Sequence, residues 1–581
     1  MEEIKEILEG IIWEVFKEEL PVEVSLAPEL EEEESGFRAD IATNVAMKLT
    51  GVLKKKDKSF VQNPREVAER IREVFLEKIE GDEVFFGTEV QVAGPGFLNI
   101  KLSDKFFREK ISRLNNNFEQ EVKNEDYKGK VVVTEFSDPN PFKVLHIGHL
   151  YTSVVGESIS RLIEYAGGEV HRVNFGGDVG LHVAKTVYIL RNRNNYSIEG
   201  IAECYVEGTR AYEEDEEAKA EIVRLNKEIY RINQLGEGNY EGLSEEEKKI
   251  AEVYWKGREL SYKYFEQFYE KIGVKFEKFY PESSVAGRGL KEVKAHIPEV
   301  YRESEGAIVF SGEEFGLHTR VFVNKEGLPT YEAKDVGLLV TKADDYNFDE
   351  SVVITGNDIV EYMKVVLKSV EQFRPELVER TRHLTHGNVR LPGNEKMSSR
   401  KGNFIKASDV LRDVEARLRS AGSASNWHII AMAAIKYSFL KYRIGGDIEF
   451  DVEESVKMTG NSGPYLLYSS VRARKISSNS GLAITANDSL SEPAFLNNFE
   501  VRLSKKFMQY EEVLSEAVSC FAPHLVANYL FELAQEFSRF YENCKVVGDE
   551  REAERLEIVS VFYRIMEHGL RILGIEIPEE M

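Results

Sequence analysis

"KVVVTEFSDPNPFKVLHIGHL", from Lys130 to Leu150, decides how the middle of the chain folds. Lys130–Phe136 is a continuous apolar run. Such a run fits a strand covered on both faces, as in parallel sheets. A proline-rich turn follows. Then Leu150, Val154, Val155, Ile159, Leu162 and Ile163 recur at helical spacing. Gly167-Gly168 ends that helix, and "EVHRVNF" (Glu169–Phe175) supplies the next strand. Strand, helix and strand predict a Rossmann-type parallel sheet of the nucleotide-binding kind. His146 and His149 stand where the helix begins. Three chemistries fit such a pair. A metal site needs a third ligand, and none of obvious spacing lies nearby. A plain helix N-terminus needs no chemistry at all. A phosphate site would use the dipole and backbone N–H groups, with Gly148 allowing close approach and the imidazoles donating to oxygens on which charge builds.

Toward the N-terminus, residues 1–20 read as helix. "NPREVAERIREVFLEKI" (Asn63–Ile79) reads as a helix capped by Asn63, opened by Pro64 and lined by Val67, Ile71, Val74, Phe75 and Ile79. Glu89–Leu102 alternates like a strand and breaks at Gly94-Pro95-Gly96. These elements predict a small α+β N-terminal domain over 1–112, followed by a polar linker at 115–130. The α/β domain covers 128–425, with a charged helical insertion at about 196–270. Gly306–Asp335 reads as paired strands leading into a helix, and Glu350–Asp358 as a core strand. From 426 to 581 nearly everything is helical, which predicts an all-α bundle.

The chain has 581 residues, 42% of them hydrophobic, enough for several cores. Lys+Arg is 76 and Asp+Glu 101, so the net charge is −25. That balance speaks against coating nucleic acid non-specifically, but it admits a specific RNA held by a local basic track. Cys204, Cys520 and Cys544 are far apart, which argues against a disulfide framework or a zinc site. "MEEIKEILEG" is an acidic amphipathic start, unlike a signal peptide, and no run approaches the length of a membrane span. A cytoplasmic protein with no membrane partner and no bound metal is expected.

"EKMSSRKGN" (Glu395–Asn403) lies far downstream, with 396 − 146 = 250 residues between Lys396 and His146. Lys396, Arg400 and Lys401 make it cationic, and such a loop can close on a polyphosphate. Alone it could be a solvated basic loop. Together the two segments resemble the HIGH and KMSKS signatures of class I aminoacyl-tRNA synthetases. "TEFSDPNPFKVLHIGHL", "GDVG" (Gly177–Gly180), "YEAKD" (Tyr331–Asp335), "GPYLLY" (Gly463–Tyr468) and "GLRILGIEIPEEM" (Gly569–Met581) resemble arginyl-tRNA synthetases in particular, in family order. "ADIATNVAM" (Ala39–Met47) and "AGPGFLN" (Ala93–Asn99) resemble that family's additional N-terminal domain.

The resemblance implies ATP-dependent attachment of L-arginine to tRNA(Arg) through arginyl-adenylate, by a monomer, with Mg2+ carried on ATP. His146, His149, Lys143, Lys396, Arg400 and Lys401 are the implied catalytic residues. Gly148, Met397, Ser398 and Ser399 join the histidines and Lys396 around ATP. Glu135, Ser137, Asn140, Tyr331 and Asp335 are the implied arginine ligands. The C-terminal bundle is implied to bind the anticodon. Phe97 and Asn99 are the implied contacts with the tRNA corner. In the bundle, Arg472 is a candidate cation. Tyr541 either stacks on a base or packs in the core. "EAER" (Glu552–Arg555) falls at the family's DALR-like signature and reads as helix-surface pairing.

The sequence departs from the family at Tyr151, where arginine is usual, and at His182 and Ile359, where glutamine is usual. A cysteinyl enzyme would need a cysteine set this chain lacks. A glutamyl enzyme would need a basic pocket, whereas Glu135 and Asp335 are acidic. A catalytically dead RNA-binding relative would not need His146, His149 and Lys396. A small HxGH nucleotidyltransferase would leave both outer domains unexplained.

Overall fold

The structure, a computed structural model, describes residues 1–26, 38–193, 196–393, 405–420, 422, 426–479 and 495–581. The apolar run after Lys130 forms strand β1 (Val131–Glu135), helix Ile147–Tyr165 follows, and β2 (Glu169–Gly176) comes next, as predicted. β3 (Lys278–Pro281), β4 (Glu350–Gly356) and β5 (Thr381–His386) complete the sheet. Its order is β5-β4-β1-β2-β3, and every neighbouring pair is parallel. The chain runs outward from β1 to β3, then crosses over to β4. That reversal opens a crevice beyond the C-terminal ends of β1 and β4, the place where open parallel sheets bind ligands.

Helices Glu282–Ala295 and Tyr331–Tyr346 cross through two glycines. A methyl group on Gly289 would stand 1.8 Å from the Ala333 carbonyl oxygen. The crossing therefore tolerates no side chain there, and it fixes the helix that carries Tyr331 and Asp335. Paired strands Ala307–Phe310 and Arg320–Val323 lead into that helix, as expected. The helical insertion comprises Ile198–Glu214, Glu216–Leu235 and Glu245–Ile272. Ile201, Ile222, Leu225, Ile229 and Tyr254 of the insertion share one core with Phe142, Val183, Val187 and Leu190.

By compactness the chain falls into two units, neither of them one continuous stretch. One comprises Asn124–Tyr468, Glu516–Asn528 and Gly569–Met581 and holds the parallel sheet. The other comprises Met1–Lys123, Ser469–Ser515 and Tyr529–His568. In this second unit an antiparallel sheet runs in the order Ser25–Leu26, Ile41–Thr43, Phe97–Lys101, Glu89–Ala93. Helix Pro64–Ile79 begins as its sequence dictates. Asn63 caps the N–H groups of Arg65 and Glu66, and Glu66 returns the bond to the Asn63 N–H.

Three local expectations change. The first helix ends at Ile11 and continues as a π-turn to Phe16, because Lys17 takes a left-handed conformation. The stretch at 115–130 is polar in composition, yet Phe118, Val122 and Tyr127 are buried, and Phe118–Glu121 is helical. Arg555 is buried within its unit, not paired on a helix surface. Its guanidinium bonds the buried Glu500 and the Lys545 carbonyl, which joins two helices of the bundle. Among the described residues no helix is long and apolar enough to cross a membrane.

Candidate active site

Beyond β1 the backbone enters the left-handed region at Ser137 (φ 74°), Asp138 (φ 48°) and Phe142 (φ 66°). None is glycine, and each such residue costs on the order of 1–3 kcal/mol unless its surroundings hold it. Here they do. The Ser137 and Tyr269 hydroxyls are 2.8 Å apart. Asp138 Oδ1 accepts the Phe175 N–H at 2.8 Å, and the Phe142 N–H donates to Ser261 Oγ at 2.9 Å. The Phe142 ring lies over Gly257, where a methyl group would come within 2.4 Å of it. Tyr269, Ser261 and Gly257 all belong to helix Glu245–Ile272, so the insertion braces the strained turn.

His146 caps helix Ile147–Tyr165 with its own imidazole. Its Nδ1 accepts the Gly148 N–H at 3.1 Å, while His149 Nδ1 accepts the His146 N–H at 3.2 Å. The two rings stack with centroids 3.8 Å apart. Both Nδ1 atoms accept, so each neutral ring carries its proton on Nε2. Burial, then the cation of Lys143, lowers His146 to about 4. Burial, then His146 and Lys143, lowers His149 well below the ordinary range. Gly148 has a second reason to lack a side chain, because a methyl group there would meet the His146 ring at 2.9 Å.

The next N–H of this helix is also taken. Ile147 donates to the Ile405 carbonyl at 2.9 Å, and Ala407 donates to the Leu145 carbonyl at 2.9 Å, around an antiparallel bridge between His146 and Lys406. Three early N–H groups are thus satisfied within the protein, and the side-chain N–H groups at this helix start are the imidazole Nε2–H groups. The cationic segment Glu395–Asn403 ends two positions before Ile405 in the sequence. Lys396, Met397, Ser398, Ser399, Arg400 and Lys401 themselves lie outside the described residues. Lys143 holds its ammonium 4.6 Å from the centre of the Tyr205 ring, an aromatic face supplied by the insertion.

The implied arginine ligands gather at the same crevice with unequal partners. Glu135, at the end of β1, is buried and paired with the buried Lys342, which also reaches Ser351 Oγ at 3.2 Å. Asn140 Oδ1 accepts the Gly177 N–H at 2.8 Å. His182, the family departure, donates from Nε2 to the Gly177 carbonyl at 2.7 Å, so it fastens the same glycine from the other side. Tyr331 opens its helix with 54% of its surface exposed. Asp335 accepts a bond from the Tyr362 hydroxyl, and among the described residues no cation pairs with it. Burial lifts Asp335 to about 8; Glu135, Glu282 and Glu332 add to the lift, and the Tyr362 bond works against it.

Tyr151 is buried, with its ring edge-on to His386 at 4.7 Å and to Phe439 at 5.3 Å. His386 ends β5, its Nδ1–H donating to the Gly387 carbonyl at 2.8 Å and its Nε2 accepting from the Thr152 hydroxyl at 2.7 Å. Ile359 is half-buried at the end of the helical turn after β4, where helix Val360–Glu371 begins. Sequence reading missed Lys342, Tyr205, Tyr269, Tyr362 and His386. Each acts across more than twenty residues of chain, and no local spacing announces it.

The implied RNA contacts lie in the other unit. Phe97 is 40% exposed at the start of its strand, and Asn99 is half-buried between Gln91 and Ala42. The Arg472 guanidinium lies 3.7 Å from the Tyr541 ring centre, and both residues are half-buried. Tyr541 is therefore neither in the core nor bare on both faces. Among the described residues no group of three or more His, Cys, Asp or Glu could hold a metal ion.

Comparison with known proteins decides among the readings. The family model described as tRNA synthetases class I (R), catalytic domain, matches residues 111–436, more than half the chain. The chain belongs to this family. An arginyl tRNA synthetase N terminal domain matches residues 2–102, and a DALR anticodon binding domain matches 466–581. The chain is 27% identical over 522 residues to arginine–tRNA ligase of Borrelia hermsii, covering 84% of this chain and 86% of that one. It is 27% identical over 541 residues to arginine–tRNA ligase of Fusobacterium nucleatum, covering 89% and 90%. Its fold is similar to the arginyl-tRNA synthetase of Thermus thermophilus, with a TM-score of 0.75, 21% identity and 100% of both chains covered.

The imidazole geometry predicts a titration. Nitrogen NMR should find both rings of the pair neutral at pH 6 and protonated on Nε2, with His146 titrating near 4. Protonation of either ring near 6.5 would contradict the mutual capping.

Proposed function

We propose that the chain charges tRNA(Arg) with L-arginine, the activity of the arginine–tRNA ligase family to which its catalytic segment belongs. The observation that carries this reading is the order of three matched domains along one chain. In the first step an oxygen of the arginine carboxylate attacks the α-phosphorus of ATP. The bond to the bridging oxygen breaks, pyrophosphate leaves, and arginyl-adenylate remains. In the second step a terminal ribose hydroxyl of the tRNA attacks the acyl carbon and AMP leaves. ATP enters as its magnesium complex, so the metal arrives with the substrate. No enzyme nucleophile is required, and the protein's part is positioning and electrostatics.

In this reading the Nε2–H groups of His146 and His149 donate to phosphate oxygens as negative charge builds on them. Neutral imidazoles suit that task, because they donate without binding ground-state phosphate as cations would. Lys143 leaves the Tyr205 face to meet a phosphate. Lys396, Arg400 and Lys401 neutralise the leaving pyrophosphate, with Met397, Ser398 and Ser399 lining ATP beside Gly148. Asn140 fixes the backbone groups of arginine, and Ser137 holds the turn that presents it. Tyr331 offers the aromatic wall and Asp335 the carboxylate for the guanidinium fork. Glu135 is already neutralised by Lys342, so Asp335 is the leading guanidinium partner. Phe97, Asn99, Arg472 and Tyr541 are assigned to tRNA, and the enzyme to the cytoplasm as a monomer.

Aminoacylation of total tRNA with each of the twenty amino acids tests the function. Charging by arginine alone is expected, and charging by another amino acid, or none, would overturn it.

The raised Asp335 carboxyl sets a pH dependence. Free, it holds its proton until about 8. Bound to a guanidinium it must be ionised, so arginine binding releases a proton below that pH. Arginine affinity should therefore rise by up to about tenfold per unit from pH 6.5 to 8 and level off above. Asp335→Asn should abolish the slope and raise the arginine KM at least about a hundredfold, the usual loss when one partner of a desolvated charge pair goes. A variant with normal KM that still rejects lysine would move the role to another carboxylate.

A further inference from the structure

The carboxylates that face Asp335 come from several elements. Glu135 ends β1, Glu282 opens helix Glu282–Ala295, Glu332 precedes Asp335 on its own helix, and Asp138 lies in the turn after β1. Each has a partner of its own. Glu135 pairs with Lys342, Glu282 with Lys334, and Arg320 Nη1 donates to Glu332 Oε1 at 3.2 Å. Asp138 accepts the Phe175 N–H. Asp335 differs, because its partner is the Tyr362 hydroxyl, which carries no charge.

Two elements put the phenol there. β4 runs into the turn Asn357–Ile359 and then helix Val360–Glu371, so Tyr362 sits in the first turn of that helix, at the ligand edge of the sheet. The Arg320 guanidinium lies 5.4 Å from the centre of the Tyr362 ring. Arg320 stands on the strand that leads into the helix of Asp335, so one residue steadies both this ring and Glu332. A cation in place of the phenol would neutralise Asp335, and a cationic substrate would have to displace it. A phenol donates one hydrogen bond and leaves the charge. Each carboxylate oxygen has two lone pairs, so Oδ2 can keep the phenol and still accept one tine of a guanidinium fork while Oδ1 accepts the other.

We propose that Tyr362 is a positioning residue for the substrate guanidinium: its hydroxyl holds one oxygen of Asp335 and keeps the carboxylate ready for the fork. The proposal rests on the tRNA-charging reading above and adds to it the residue that readies the specificity carboxylate. A donor to a carboxylate stabilises the ion against the neutral acid. Burial keeps Asp335 protonated until about 8, and the Tyr362 bond opposes burial. Burial and the Asp335 charge in turn hold the Tyr362 phenol protonated well above its ordinary range, so it remains a donor throughout. Without the hydroxyl, Asp335 keeps its proton to higher pH, and arginine has to displace that proton over a wider range. Hydrogen bonds to charged groups are strong enough to move such a titration by about one pH unit or more. Near pH 7.5 that amounts to a roughly tenfold loss of arginine affinity.

The test uses the full-length enzyme, with the arginine Kd measured by calorimetry from about pH 6.5 to 9.5 and kcat for tRNA charging measured at saturating arginine. Tyr362→Phe should weaken arginine binding about tenfold near pH 7.5 and start the plateau about one pH unit higher, while kcat holds. At the alkaline end its affinity should approach that of wild type. Tyr362→3-fluorotyrosine, a stronger donor of nearly the same shape, should move the plateau the other way. Beside Asp335→Asn, Tyr362→Phe should add little. A profile unchanged in Tyr362→Phe overturns the proposal. So does a loss that is equal at every pH, or one that persists in full beside Asp335→Asn, because the phenol would then act on packing or on the substrate directly. Wild-type enzyme that binds arginine with this pH dependence yet charges no tRNA would sink the charging reading and leave Tyr362 in its role.

Discussion

The histidine end of the candidate site depends on one short piece of backbone pairing. Leu145, His146 and Ile147 run antiparallel to Ile405, Lys406 and Ala407, closed by two hydrogen bonds of 2.9 Å. The pairing joins the start of the histidine helix to the chain emerging from the cationic loop, across more than 250 residues of sequence. Because it uses the Ile147 N–H, and the imidazoles use those of His146 and Gly148, the helix start is internally satisfied. In the proposed function the phosphate donors are side-chain N–H groups whose direction is fixed by the backbone they cap. Preorganised donors of this kind need no reorganisation when charge develops.

Charge placement around the crevice follows a similar economy. Two buried carboxylates have buried lysines of their own, Glu135 with Lys342 and Glu282 with Lys334. Such pairs are neutral overall and leave the pocket's potential to the remaining groups. Asp335 is the carboxylate answered only by a phenol, and burial holds its pKa up, with the neighbouring carboxylates adding to the lift. In the proposed function the guanidinium of arginine is the cation that Asp335 meets. The family departure at His182 costs little in this setting, because its ring serves the Gly177 carbonyl while Asn140 serves the Gly177 N–H.

Much of this was legible in the sequence, for identifiable reasons. The strand before Asp138 and the helix after His146 follow from apolar runs and periodicity, which are local. The Asn63-Pro64 helix start is local as well, down to the Glu66 return bond. Tyr331 and Asp335 were named through the family resemblance of "YEAKD", not through any local signal of their own. What stayed hidden is long-range. Lys342 sits in the same helix as Asp335, but only the sheet brings it to Glu135, 207 residues away in sequence. Tyr269 and Ser261 read as part of a charged helical insertion, yet their hydroxyls hold the strained turn of a distant loop. Residues 115–130 read as linker because polar residues outnumber Phe118, Val122 and Tyr127, whereas three buried side chains suffice to anchor a short segment. Arg555 read as a surface residue because Glu500, its buried partner, lies on another helix.

The most direct measurement concerns the backbone pairing itself. Ala407 is the first residue of helix Ala407–Ser420, where proline fits the helical φ and its missing N–H is not needed by the helix. Lys406, in an antiparallel bridge, already has the extended backbone that proline asks of its predecessor. Ala407→Pro thus removes the bond to the Leu145 carbonyl and little else. Single-turnover adenylate formation, measured with tRNA present, should fall at least about tenfold while arginine affinity and melting temperature hold, since small misplacements of catalytic groups carry penalties of that size or more. Adenylate formation at the wild-type rate would contradict the claim that this pairing sets the histidines in place.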